Sequence, residues 1–440
     1  MPAHTLECAL NDFDPVVRAE ALEQLKRDVA VLPGAGRDFN LHCHSFYSYN
    51  GYGLSPTALA WEGRKRGWFA VGLVDFDVLD GVEEFLGAAH GLGLRACAGM
   101  ETRIFVPEFG SRVINSPGEP GIAYHMGVGF TSGAQAEDAL VQRLKAIAQG
   151  RNRGLVTRVN AHLDPVQLDF DADVAPLTPN GNATERHVCM AYDAKAAAVF
   201  PDLEARTAFW AAKLSMPKEA VQQILHDPAA LQGQIRSKTM KAGGVGYVQP
   251  EGPDFPRLEE VNAFVLAAGA IPTLAWLDGT TEGETALDEL LDVMMLAGVA
   301  MVNIIPDRNW NIMKAEEKRV KVQNLQRFID TAQERNLPIL VGTEMNAPGQ
   351  RFVDDFNSPE LAPFYDVFQR GAHIVHAHTL LQARLGQGYL SDWARKSFPS
   401  VEEKNDFFAV VGASLSPGDA GKLDALRSGA TAETILAAVS

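Results

Sequence analysis

The chain has 440 residues, 46% hydrophobic and 21% charged, enough for one large domain with an insertion or for two ordinary domains. Its net charge of −16 argues against a broad nucleic-acid footprint, which needs Lys and Arg gathered on one face, and no apolar run approaches the ~18 residues of a membrane span. The four cysteines (Cys8, Cys43, Cys97, Cys189) form no CxxC pair, so neither a disulfide framework nor a zinc ribbon is expected, and without a signal-peptide pattern at its start the chain reads as cytoplasmic.

Residues 1–37 alternate charged and apolar positions at helical spacing. From Phe39 onward, short β-branched runs alternate with amphipathic helical stretches, the pattern of an α/β protein built on a parallel sheet or barrel. The expected strands are 39–44, 69–76, 94–106, 123–130, 271–277, 299–305 and 339–344, with AHIVHAH (372–378) after them. Between the first two, Ser55 is placed to cap a helix that begins at Pro56; FPRLEEVNAFVLAAG predicts another that stops at Gly269. Residues 131–250 break the rhythm: they are Ala-rich and helical, with no convincing strand before VGYVQP. The expected organisation is therefore an N-terminal helical segment (1–37), a first barrel part (38–130), a helical insertion (131–250), a second barrel part (251–378) and a helical extension (379–440).

His42 and His44 lie two apart in a strand, which puts both imidazoles on one face and lets them share an ion. The glycine-containing loop and capped helix that follow place the pair at the strand's C-terminal end, where βα barrels build their sites. Glu101 stands in an otherwise apolar strand and needs a partner. A second H-x-H, His376 and His378 with His373 nearby, has the same spacing on the strand assignment. The glycines around 34–36 and 243–246 lack the order of a phosphate loop.

The order of these motifs resembles the polymerase-and-histidinol-phosphatase superfamily. FNLHCHS is similar to its first H-x-H strand, and LVDFDVLDG to its second motif, with Asp75 and Asp77 kept and Phe76 where a metal-binding histidine is expected. AGMETRIF resembles the strand whose glutamate, here Glu101, bridges two ions; AYHMGVGF resembles the strand that gives a histidine, here His125. AGAIPTLAW ends in Trp276 where a ligand is expected. LVGTEMNAPG resembles the last motif, with Glu344 for its aspartate and Asn346 for its histidine. ATERHVCMAY is similar to an R-P-H element of the insertion, giving Arg186 and His187.

The resemblance implies a distorted (β/α)7-type barrel with a helical insertion and a helical extension, covering about residues 38–350. It implies a metal-dependent hydrolase holding one or two divalent ions (Zn, Mn or Fe) through His42, His44, Glu101, His125 and Glu344, with Asp75 and His187 in catalytic roles and Arg103 and Arg186 on the substrate. A small, anionic phosphate ester, cleaved by metal-activated water, is the expected substrate. The replaced ligands leave two alternatives open: lactone, amide or sugar-ester hydrolysis, or a barrel that binds a metabolite without turnover.

Overall fold

A computed structural model describes residues 3–28 and 31–440; residues 1, 2, 29 and 30 of the expected N-terminal segment lie outside the described residues. Seven strands form one sheet in sequential order: β1 (Phe39–Cys43), β2 (Ala70–Phe76), β3 (Arg95–Phe105), β4 (Ile122–Val128), β5 (Ile271–Trp276), β6 (Met301–Ile304) and β7 (Ile339–Val341). All neighbours pair parallel except β4, which runs antiparallel to both β3 and β5. An isolated bridge between Cys43 and Glu344 brings the two edges together, so the sheet curls into a nearly closed, distorted barrel.

The connecting elements follow the local chemistry. The Ser55 hydroxyl accepts from the Ala58 N–H at the start of helix Pro56–Lys65, and Pro56, which has no N–H to leave unpaired, fills the first position. Helix Leu258–Ala267 ends at a left-handed Gly269, as its sequence predicts. Trp276, where the resemblance leads one to expect a ligand, turns outward and stacks on Phe328 of helix Ala315–Glu334 at 4.4 Å between ring centres.

Between β4 and helix Leu258–Ala267 lie five further α-helices: Ala139–Leu163, Glu185–Val199, Leu203–Leu214, Lys218–Ile224 and Pro228–Thr239. They enclose an apolar core of their own around Val159, Tyr192, Trp210 and Ile235, separate from the barrel's core. VGYVQP, the one strand-like run expected there, forms no strand. Polar bonds tie this layer to the barrel mouth: Asn182 Nδ2 donates to Tyr47 O (3.1 Å) and Phe76 O (2.8 Å), and Thr178 Oγ1 donates to Phe46 O (2.9 Å).

AHIVHAH is not a strand. It lies inside helix Tyr365–Leu385, which also crosses the expected boundary at 378. The reason is visible in the wider run: Phe368, Ala372, Val375 and Thr379 recur at helical spacing, and helix Val401–Ser414 covers the side turned from the sheet. Close backbone approach requires glycine on both sides. A Cβ on Gly371 would come within 1.9 Å of Ile339 O in β7, and one on Gly412 within 2.0 Å of His373 O. His376 and His378 therefore diverge around a helix instead of sharing a face. His378 is spent on structure: its Nδ1 accepts from Tyr389 N–H (2.9 Å), so Nε2–H donates to Gly129 O (3.0 Å).

Burial holds His378, His125 and His187 neutral, each with its pKa pushed down to about 4. Unfolded chains bind protons on these rings below their ordinary pKa of about 6.5, so folding stability is complete above that pH and falls as pH drops toward 4. We expect chelator-treated protein to lose on the order of 3 kcal/mol per ring across that window, and His378→Gln to flatten the slope. Urea unfolding at pH 7.5 and 5.0 measures this; equal midpoints would contradict it.

Candidate metal centre

His42 and His44 leave β1 on the same face, as the alternation requires, and meet Glu101 from β3. The His42 Nε2 lies 3.2 Å and the His44 Nε2 3.4 Å from Glu101 Oε2, and the three donor atoms fall within 4.8 Å of one another. Two ligands about 2.0–2.1 Å from one ion at a tetrahedral angle stand about 3.3 Å apart, so this spacing suits a zinc-like cation. The His44 Nε2 is buried and has no hydrogen-bond partner, an expensive arrangement unless something occupies its lone pair.

Neighbouring side chains set both rings for that task. Asn303 of β6 lies 2.8 Å from His42 Nδ1 through its Oδ1, which places a ring proton on Nδ1 and leaves Nε2 as the atom turned to Glu101. Ser48 Oγ donates to Asp75 Oδ1 (2.6 Å) and so faces His44 Nδ1 (3.3 Å) as an acceptor, with the same result for the second ring. Asp75 also accepts from Ser45 N–H (2.7 Å) and Ser45 Oγ–H (2.6 Å). Its carboxylate is thus committed to the loop after β1. Burial raises its pKa while those bonds oppose the rise, and the carboxylate backs His44 through Ser48 and does not line the neighbouring cavity.

Burial alone would raise the Glu101 pKa, yet the two imidazoles hold it down at about 2; the carboxylate is ionised and ready to ligate. Burial likewise opposes charge on His42, and Glu101 with Glu344 overcomes it, so that pKa lies above the ordinary imidazole value.

Glu344 and His125 depart from the expected ligand set. Glu344 reaches the centre through its backbone, where it bonds β1; its carboxylate pairs with Arg308 Nη2 at 3.0 and 3.3 Å. His125 points the other way. The register pairs Thr102 with His125 and Glu101 with Met126, so alternation turns the imidazole away from Glu101 and into the outer layer, where its Nε2 lies 2.6 Å from Asn262 Oδ1. Tyr124, one residue earlier, takes the inward position. His187 is spent on a helix start, with its Nδ1 accepting from Thr184 N–H (3.0 Å) and its ring edge-on to Tyr49.

Phe76 stacks on His44 at 4.3 Å and separates the three donors from a cavity of about 340 Å³. Tyr124, Glu344 and Asn346 complete that wall, and the helical insertion forms the opposite one. Six cationic side chains face the cavity (Arg103, Arg151, Arg186, Arg236, Lys241, Arg308) against three acidic ones (Asp77, Glu185, Glu344). Both arginines expected at the substrate, Arg103 and Arg186, are among them. Arg151 and Arg308 carry no family motif, although Asn303, the support of His42, was visible as a polar residue in an apolar strand.

No family model matches the chain, and no curated protein matches it. Among solved structures it is similar to an amidohydrolase from Chromobacterium violaceum, determined with bound sulfate and no metal, at 18% identity and a TM-score of 0.48, covering 76% of this chain and 96% of that one. A candidate metal-dependent phosphoesterase from Bifidobacterium adolescentis matches at 18% identity and 0.46, covering 76% and 97%. Likeness at this level assigns neither activity nor ligand.

If Asn303 fixes the His42 tautomer, Asn303→Ala lowers zinc affinity about 10–100-fold while the fold persists. Competition against a fluorescent chelator reads the constant; a change under twofold would remove Asn303 from the centre.

Proposed function

We propose that the chain is a metal-dependent hydrolase acting on a small phosphate ester. The observation that carries this reading is the union of two features: three donors at ligand spacing with both Nε2 atoms turned to Glu101, and a cationic cavity on the far side of Phe76. A chain of net charge −16 repels anions at long range, but charges farther than about 8 Å are largely screened at physiological ionic strength. At contact, one Arg–phosphate pair near a protein surface is worth on the order of 4 kcal/mol, so the local cations prevail.

Zinc, manganese or iron suits the mixed nitrogen and oxygen donors, and such an ion supplies Lewis acidity and a water of lowered pKa. The chain's own groups do the rest. Arg186 and Arg308 face the cavity and are placed to hold a phosphoryl group. Tyr124, whose pKa burial raises, keeps its proton and can donate to an oxygen that gains charge. Asp77 lines the cavity and burial raises its pKa as well, which fits it better than Asp75 for carrying a proton. Asp75, His125 and His187 support the walls in this reading.

A second reading, a barrel that binds a phosphate ester without turnover, is favoured by the Arg308–Glu344 pair, which occupies a carboxylate that could otherwise serve an ion.

The test uses full-length protein purified without chelator. We expect about one ion per chain by elemental analysis, turnover of at least one phosphomonoester in a panel that also holds phosphodiesters and lactones, and a loss on the order of 10²-fold or more in kcat/KM for Glu101→Ala. Phosphatase activity indifferent to His44→Ala would overturn the assignment; micromolar ester binding without turnover, at under half an ion per chain, would establish the binding reading instead.

A further inference from the structure

Arg308 stands at the cavity on a helix of one turn, Asp307–Trp310, that follows β6. Its guanidinium meets only the Glu344 carboxylate among the described residues, and 45% of the side chain stays exposed, so its direction depends on how that short helix is seated. A single turn does not hold itself, because its few backbone bonds do not repay the cost of nucleation. Two side chains seat it instead. Asn309 Nδ2 donates to Leu277 O (2.8 Å) just beyond β5, and Trp310 Nε1 donates to Asp354 Oδ1 (2.9 Å) in the loop after β7. The same loop reaches the other member of the ion pair, for Gln350 Nε2 donates to Glu344 Oε2 at 3.4 Å. Arg351 lies over the Trp310 ring at 4.9 Å and 3.6 Å from Asp307, so the indole is covered on its face and gripped at its edge.

Asp354 is a costly way to make that grip. It is 2% exposed, and its second oxygen, Oδ2, is buried with no partner among the described residues. Burial pushes its pKa up to about 7; the Trp310 N–H and Arg351 oppose the rise, and the Asp307 charge adds to it. A residue that served packing alone would be apolar at this place, since an unpaired buried carboxyl destabilises the fold. What the carboxylate gains is a charge-assisted bond to the indole N–H, shorter and more directional than a neutral acceptor makes.

We propose that Asp354 is a positioning residue for substrate: through the Trp310 N–H it fixes the Asp307–Trp310 turn and so aims Arg308 at the phosphoryl group. This rests on the phosphate-ester reading for what Arg308 grips, whereas the aim of Arg308 is a property of the protein without ligand. With the bond gone, the turn is seated through Asn309 alone, and Arg308 keeps its charge but loses its direction.

Two measurements on the full chain, purified without chelator, test this. The first is calorimetric titration with benzylphosphonate, a phosphate-ester mimic that is not hydrolysed. Asp354→Ala and Trp310→Phe are each expected to weaken binding about tenfold, and Asp354→Asn, which keeps an acceptor for the indole, to recover most of the loss. In the Arg308→Met background, Asp354→Ala is expected to change the affinity less than about twofold, because the residue it acts through is gone. The second is the side-chain NMR resonance of Arg308 in ligand-free, 15N-arginine-labelled protein, assigned by its loss in Arg308→Met. It is expected to shift in Asp354→Ala and Trp310→Phe and to hold in Asp354→Asn. An Arg308 resonance or a phosphonate affinity that Asp354→Ala leaves unmoved would overturn the proposal, as would a loss of equal size with and without Arg308. A wild type that binds no phosphonate, with an Arg308 resonance that still shifts in Asp354→Ala, would sink the phosphate-ester reading and leave the aiming of Arg308 by Asp354 established.

Discussion

The barrel closes through one pair of reciprocal backbone hydrogen bonds. Glu344 N–H donates to His42 O at 2.8 Å and accepts at its own carbonyl from His44 N–H at 2.9 Å, which clamps the chain just after β7 onto β1. Since β7 itself spans only Ile339–Val341, these two bonds, together with the Asn40 side chain, which donates to Thr343 Oγ1 (2.7 Å) and accepts from Thr343 N–H (3.2 Å), hold the last edge of the sheet against the first. Glu344 and Met345 both adopt left-handed backbone there (φ 65° and 55°), a conformation that costs a non-glycine residue roughly 1–2 kcal/mol. The reward is geometric. The clamp fixes His42 and His44 on either side of one peptide, and it throws the Glu344 side chain into the cavity, where Arg308 meets it.

From that clamp the molecule divides its chemistry between two sources. The barrel supplies the donors, each backed by a neighbour: Asn303 behind His42, the Asp75–Ser48 chain behind His44, and the two imidazoles around Glu101. The insertion supplies most of the cations, on helices whose apolar faces pack into a separate core. Donors held at ligand spacing need a stiff scaffold, and strands buried on both faces provide one. Charges that select a ligand can stand on a layer joined to the barrel by a few polar bonds from Asn182 and Thr178.

Much of this was legible in the residues. The alternation of short β-branched runs and capped helices marked all seven strands to within a few positions, and period-two spacing put His42 and His44 on one face. What failed shows where sequence signals weaken. H-x-H looks alike in a strand and in a helix, so His376 and His378 suggested a site until the helical spacing of Phe368, Ala372 and Val375 decided the element. His125 fell on the outer face because motif order says nothing about strand parity; the antiparallel register of β4 with β3 sets which of Tyr124 and His125 faces inward. Asp75 read as a catalytic carboxylate, but its three donors come from Ser45 and Ser48, a loop contact that no spacing rule reveals. The cationic cavity was invisible in a chain of net charge −16, because Arg151, Arg186, Lys241 and Arg308 come from four distant segments and only folding gathers them.

The ring of Phe76 has a further meaning in time. Lying flat on the His44 imidazole and held at its strand end by the Asn182 bond to its carbonyl, it shutters the side of the donors that faces the cavity. Traffic of ions across that wall is then governed by how often an aromatic side chain swings aside in a packed interior, and not by how strongly three ligands grip. A cation held by His42, His44 and Glu101 behind such a shutter would exchange slowly, and the ion found there would reflect the conditions of filling as much as the preference of the three side chains.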